Sequence, residues 1–264
     1  MTGIEIGGVR TWYEEAGSGE PLALLHGGLA TNGAWSAQIP DLAAHFHVVA
    51  PERRGHGHTP DIDGPWSYEA MATETIGFLE AVVDEPAHLV GWSDGGIVGL
   101  LVAIRRSELV RKLVAISANF DTSGVPADVA AEVTSMAPGS DFLAALRSAY
   151  QATSPDGPEH WPVVVGKFVE LVTREPHIPP AELKRIASPT LVLTGDDDLV
   201  SLEHTVELFR AIRGAELAIV PGTSHLLTME KPAIVNRLIL EFLQRSPSPT
   251  IMPIRRAAEH AHAG

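Results

Sequence analysis

Three residue types that can share a proton recur along this chain at positions where local structure is expected to change. Gly91-Trp92-Ser93-Asp94-Gly95 sets a hydroxyl between two glycines, with an apolar run before it and another after it. This is the G-x-S-x-G pattern, in which a strand turns so sharply into a helix that neighbouring side chains would clash, so glycines flank the serine. The serine is left at the tip of the turn, and the following helix offers free N–H groups and a positive dipole end to developing negative charge. A serine hydroxyl is a weak nucleophile unless a base takes its proton and an acid orients that base.

Two later segments offer those partners. His225, in Val220-Pro-Gly-Thr-Ser-His225, follows the last strand-like run, and Asp198, in Thr194-Gly-Asp-Asp-Asp198, follows the one before it. The chain order serine, aspartate, histidine fits a nucleophile elbow with a downstream acid and base. Asp196, Asp197 and Asp198 are consecutive, and only one of them can face the histidine; Asp198 is the expected acid. Asp121, after an earlier strand, is the alternative. A tetrahedral oxyanion needs two donors. The Asp94 backbone N–H is one, and Gly28, in Leu24-Leu-His-Gly-Gly28, is expected to supply the other.

The Asp94 side chain has two readings. An acidic group in the first turn of a helix is favoured by the helix dipole. Alternatively it binds substrate by pairing with an ammonium group, with Trp92 as a second substrate-binding residue. A rival chemistry is metal-dependent hydrolysis, suggested by His56-x-His58 with Asp61 close by. The glycines and proline around that pair fit a structural turn better, and no metal or cofactor is expected.

The elements that must position these residues alternate. Apolar strand-like runs (PLALLHGG, HVVAPERRG, HLVGWSDGG, KLVAISANF, PTLVLTGDDD, AELAIVPGTSH) are separated by helix-like stretches over 68–83, 97–106, 201–212 and 233–244. Continuous apolar strands between helices predict a mostly parallel sheet buried on both faces. Ligands of such sheets bind at the carboxyl ends of the strands, which is where Ser93, Asp198 and His225 fall. GIEIGG and VRTWYEEAG add a hairpin at one edge. Residues 121–185 carry helix-like pieces and no clear strand, and read as a helical cap inserted into a core of 1–120 and 186–246. Residues 247–264 read as a tail.

The quoted motifs together resemble the α/β-hydrolase superfamily. LLHGG matches its oxyanion loop, GWSDGG its elbow, TGDDD its acid and PGTSH its base. APERRGHGHT matches its D-x-R-G-x-G-x-S stretch, with Glu52 and Thr59 in place of aspartate and serine. The resemblance implies the α/β-hydrolase fold with a small helical cap, and hydrolysis of a carboxylic ester through an acyl-enzyme on Ser93. The elbow string GWSDGGI is similar to that of the biphenyl hydrolase-like members, which cleave amino-acid esters. Lactonases, amidases, carbon–carbon bond hydrolases and non-catalytic ligand-binding members share the triad and stay open as alternatives.

Composition narrows the partners. A net charge of −14 disfavours nucleic acid and anionic membrane surfaces, both of which attract basic patches, and leaves a small-molecule substrate. The absence of cysteine excludes thiol catalysis and disulfides. The first residues show no basic region followed by an apolar run, so no signal peptide and a cytoplasmic location are expected. Nothing in the sequence sets an oligomeric state.

Overall fold

A computed structural model describes residues 2–245 and 250–252. The strands are β1 (Thr2–Ile6), β2 (Val9–Gly17), β3 (Pro21–Leu25), β4 (His47–Pro51), β5 (Ala87–Trp92), β6 (Val110–Ile116), β7 (Thr190–Asp197) and β8 (Glu216–Ser224). The helices are α1 (Ile39–Ala43), α2 (Tyr68–Phe78), α3 (Asp94–Arg105), α4 (Ala127–Thr134), α5 (Ala144–Thr153), α6 (Trp161–Arg174), α7 (Pro180–Leu183), α8 (Leu202–Ala211), α9 (Leu227–Glu230) and α10 (Pro232–Gln244). No helix among the described residues is long and apolar enough to cross a membrane.

The strands form one sheet in the order β1-β2-β4-β3-β5-β6-β7-β8. β2 runs antiparallel to both β1 and β4, giving the expected edge hairpin, and every pair from β4 to β8 is parallel. The parallel strands alternate their side chains between two cores, as a period of two requires. Leu25, Leu89, Leu113 and Val192 pack with α2, α3 and α8 on one face. Leu24, Val90, Val114 and Leu193 pack with Leu42 and with Val235 and Ile239 of α10 on the other. β3 and β5 are buried along their whole length, which accounts for their unbroken apolar runs.

Between β6 and β7 the chain leaves the sheet for a helical excursion. VVVGKFVELVTR, an apolar run that also suits a strand, is helical and forms most of α6. Where the excursion begins and ends, the two chain segments touch: the Ile178 N–H donates to the Phe120 carbonyl at 2.7 Å, and Asp121 pairs with His177. Of the tail expected over 247–264, only 250–252 fall within the described residues.

Candidate active site

Ser93 sits between β5 and α3 with φ 56° and ψ −122°, a backbone conformation that side chains rarely adopt. Such strain costs about 1–3 kcal/mol and persists where the surroundings over-determine it. Here they do. The Ser93 N–H donates to the Ile116 carbonyl at 2.8 Å. A Cβ at Gly91 would lie 2.1 Å from the Gly95 carbonyl oxygen, and one at Gly95 would lie 1.9 Å from that of Leu25. Only glycine lets the turn close and α3 press against the end of β3.

The His225 imidazole joins two groups. Its Nδ1 lies 2.8 Å from Asp198 Oδ1 and its Nε2 lies 3.0 Å from Ser93 Oγ. An ionised carboxylate only accepts, so Nδ1 carries the proton and Nε2 is the acceptor facing the serine. The Asp198 side chain is fully buried. Burial alone raises a carboxyl pKa, but the hydrogen bonds from His225, the Ser117 hydroxyl and the Val200 N–H together hold Asp198 below its ordinary value. Thr194 Oγ1 donates to the same carboxylate at 3.0 Å. The register of β7 against β8 shifts between Gly195 and Asp197. Asp196 and Asp197 are exposed, and Asp196 receives the Thr223 N–H at 3.1 Å, which ties the two strand ends together. Asp121, the alternative acid, faces His177 and Ser123 instead.

The loop after β3 is fixed by two buried imidazoles. The Leu29 N–H donates to His56 Nε2 and the Arg53 N–H to His26 Nε2, each at 3.1 Å. Burial, with help from the neighbouring Arg53 cation, pushes His56 down to about 3 and His26 well below its usual value, so both rings stay neutral and accept. His58 bonds Glu52, and His56 Nδ1 faces the Arg54 carbonyl, so the His56-x-His58 pair does not converge on a common point. Among the described residues, the Gly28 N–H makes no hydrogen bond to the protein. Gly28 lies beside the elbow: a Cβ there would be 2.7 Å from Asp94 Oδ2 and 2.3 Å from the Phe168 ring of α6.

Asp94 is 4% exposed, and its Oδ1 accepts from the Tyr68 hydroxyl at 2.9 Å. Burial raises its pKa, while the Arg53 cation and the Tyr68 hydroxyl act in the other direction. Trp92, expected to touch substrate, lies in the α10-side core at 6% exposure, with its indole N–H on the His225 carbonyl. Sequence reasoning missed Arg53, Tyr68, Ser117 and Thr194. Each is polar and buried or adjoins a strand end, but nothing in its local pattern names a partner far along the chain.

Asp61, in the loop after β4, anchors the helical excursion. Its carboxylate is 3% exposed and accepts from Lys167 Nζ at 2.6 Å, His160 Nε2 at 2.9 Å and Trp66 Nε1 at 2.9 Å. Lys167 precedes Phe168, so this pair ties α6 to the loop one residue before the ring that lies against Gly28.

Comparison with known proteins agrees with this architecture. The family model described as "Alpha/beta hydrolase family" matches residues 22–238. The human protein "Serine hydrolase BPHL" is 26% identical over 253 residues, covering 91% of this chain and 85% of that protein. A 2-hydroxy-6-oxo-6-(2'-aminophenyl)hexa-2,4-dienoic acid hydrolase of Metapseudomonas resinovorans is 27% identical, covering 92% and 90%. The solved structure of a serine hydrolase involved in carbazole degradation superposes with a TM-score of 0.75 at 27% identity, covering 92% of this chain and 98% of that one.

Proposed function

Because this chain belongs to the α/β-hydrolase family, we propose that it is a serine hydrolase cleaving a small-molecule carboxylic ester through an acyl-enzyme on Ser93. One observation carries the reading: a single imidazole spans Ser93 Oγ at 3.0 Å and a buried carboxylate, Asp198, at 2.8 Å.

Ser93 Oγ attacks the ester carbonyl carbon as its proton passes to His225 Nε2. Asp198 holds the tautomer and stabilises the imidazolium. The carbonyl oxygen, now an anion, is received by the N–H groups of Gly28 and Asp94. The C–O bond to the alcohol then breaks, and His225 returns the proton to the leaving oxygen. Water repeats the sequence on the acyl-enzyme and releases the acid. The helical excursion over 121–185 is the cap of this site, and its Phe168 ring lies against Gly28 of the oxyanion loop. The chain's own side chains supply every proton transfer.

A second reading, hydrolysis of a carbon–carbon bond, is favoured by the relative from Metapseudomonas resinovorans, which is named for a dienoic acid. The buried Asp94 carboxylate weighs against an acidic substrate here, because it lies beside the oxyanion loop and would repel a second carboxylate. A neutral or cationic ester avoids that repulsion.

The test is a panel of esters of varied acyl length and charge, with a meta-cleavage dienoate included, run on the wild type and on Ser93→Ala. Neutral esters are expected to turn over fastest, and Ser93→Ala to lose about 10⁴-fold or more in turnover. Near-wild-type turnover by Ser93→Ala overturns the nucleophile, and a dienoate faster than any ester overturns the substrate class.

A further inference from the structure

Arg53 follows β4 and turns its side chain beneath the loop after β3. It is 6% exposed. Its Nη1 donates to the His26 carbonyl at 2.5 Å and its Nη2 to the Gly27 carbonyl at 3.1 Å, while the buried Nε has no partner. Both hydrogen bonds from the guanidinium fork therefore end on backbone oxygens of a single short loop. Burying a cation is costly, and two neutral carbonyls offset that cost only in part. Asp94 lies close enough to exert Coulombic attraction on Arg53, but its carboxylate is bonded to Tyr68. A methionine would fill the same space without the charge, so the charge itself calls for an explanation.

The covalent connectivity supplies one. The Gly27 carbonyl and the Gly28 N–H are the two ends of one peptide unit. A guanidinium on the carbonyl draws electron density toward that oxygen and leaves the N–H more positive. Hydrogen bonds in series strengthen one another in this way, and charged donors strengthen them most. The other end of the unit is the N–H without a protein acceptor among the described residues, in a loop where Gly27 lies against Ser93 and Gly28 against Asp94.

We propose that Arg53 is a positioning residue of the oxyanion hole: it holds and polarises the Gly27–Gly28 peptide from its carbonyl end, so that the Gly28 N–H donates more strongly to the oxyanion than to the neutral ester carbonyl. The proposal rests on the reading of Ser93 as nucleophile and Gly28 as donor. A donor sharpened in this way favours the transition state over the ground state, because only the transition state carries the full negative charge. The effect belongs in kcat and not in KM. Asp94, held by Tyr68, tempers the cation so that the site is not over-charged when empty.

The experiment uses the full chain with Arg53→Gln, which removes the charge and keeps one donor group, and Arg53→Lys, which keeps the charge and loses the fork. Each is assayed on a neutral p-nitrophenyl ester. Each is also titrated with a boronic acid that forms a tetrahedral anion on Ser93, and with the matching alcohol, which cannot react. Loss of a whole oxyanion donor costs about 10²–10³ in kcat, so loss of its polarising partner is expected to cost about tenfold or more. Arg53→Gln should lose that factor in kcat and in boronic acid affinity together, with KM and alcohol affinity within about twofold. Arg53→Lys should lose less. If Arg53→Gln does not fold, Arg53→Lys decides: a parallel loss of about threefold in kcat and boronic acid affinity supports the proposal, and wild-type values for both overturn it. A folded Arg53→Gln with wild-type kcat, a loss shared equally by alcohol binding, or a loss in Arg53→Lys as large as in Arg53→Gln also overturns it. Ser93→Ala, run alongside, tests the underlying reading separately: if it keeps its turnover, the esterase reading fails whatever Arg53 does.

Discussion

The indole Nε1 of Trp92 donates a 2.8 Å hydrogen bond to the backbone carbonyl of His225. The residue before the elbow serine thus holds the peptide of the histidine that faces that serine. The two rings also lie 5.7 Å apart at a tilt of 44°. One buried side chain therefore sets the distance between two groups separated by 132 positions.

Trp92→Phe removes this bond while keeping an aromatic ring in the core. A part-buried carbonyl loses its donor, at a cost of about 1 kcal/mol in stability. Small displacements of a reacting group cost up to about 10²-fold in rate. Trp92→Phe is expected to lower kcat by about tenfold with little change in KM. The check is steady-state kinetics beside urea unfolding; a variant with full kcat and reduced stability leaves Trp92 a core residue only.

Asp198→Asn replaces an acceptor with an amide that can donate to Nδ1 and favour the wrong tautomer. The expected loss is about 10⁴-fold in kcat. Asp197→Asn, at an exposed position beside it, should change kcat by less than about twofold. If Asp121→Asn proves the crippling change, the acid comes from the end of β6 and the assignment fails.

The parallel sheet, the edge hairpin and the glycine elbow were legible because each has a periodic or compositional signature: unbroken apolar runs, an alternating hairpin, and glycine where a Cβ cannot fit. Ser93 and His225 were legible for the same reason, since each ends an apolar strand. Chain order separates the aspartate run from Asp121 no better than it separates Asp198 from its two neighbours, and the register shift at the end of β7 leaves no mark in the sequence. The surroundings of Asp94 were not legible. Tyr68 reads as the first residue of a helix, and Arg53 as part of the D-x-R-G-x-G-x-S stretch that follows a strand. Their meeting beneath the oxyanion loop depends on β4 lying next to β3, a neighbour relation that local pattern does not encode. Trp92, expected as a substrate-binding residue, follows strand alternation into the α10-side core together with Val90.

The two neutral imidazoles under the oxyanion loop predict acid sensitivity. His56 falls from 6.5 to about 3 on folding, and His26 moves in the same direction. A histidine held neutral in the folded state binds fewer protons than the unfolded chain between those two values, so stability is complete above about pH 6.5 and is lost as pH falls toward 3. Each such group contributes a slope of about 1.4 kcal/mol per pH unit within the window. His56→Gln, which keeps an acceptor for the Leu29 N–H, should flatten the slope between pH 6.5 and 4 by about that amount. Urea unfolding of both proteins across the range measures it. Parallel curves for the variant and the wild type refute the assignment to His56.

Asp94 raises the sharpest question about substrate. A carboxylate beside an oxyanion opposes the transition state unless a cation balances it. Two sources are available: an ammonium group on the substrate, or Arg53 within the protein. The carboxylate is 4% exposed, one oxygen is bonded to Tyr68, and Arg53 attracts it from below. The internal cation is already in place, which makes Asp94 a counter-ion for the loop and removes the need for an ammonium group on the substrate. Asp94→Asn should therefore act alike on an α-amino ester and its desamino analogue. Both should turn over at wild-type rate or faster, because the Arg53 charge is no longer tempered. The variant should lose about 1 kcal/mol of stability, since the asparagine oxygen still accepts from Tyr68 and only the longer-range attraction of Arg53 is lost. The comparison is kcat/KM for the two esters in both proteins. If the amino ester alone loses about 30-fold or more, as removal of one partner from a desolvated charge pair entails, the ammonium reading stands and Asp94 selects the substrate.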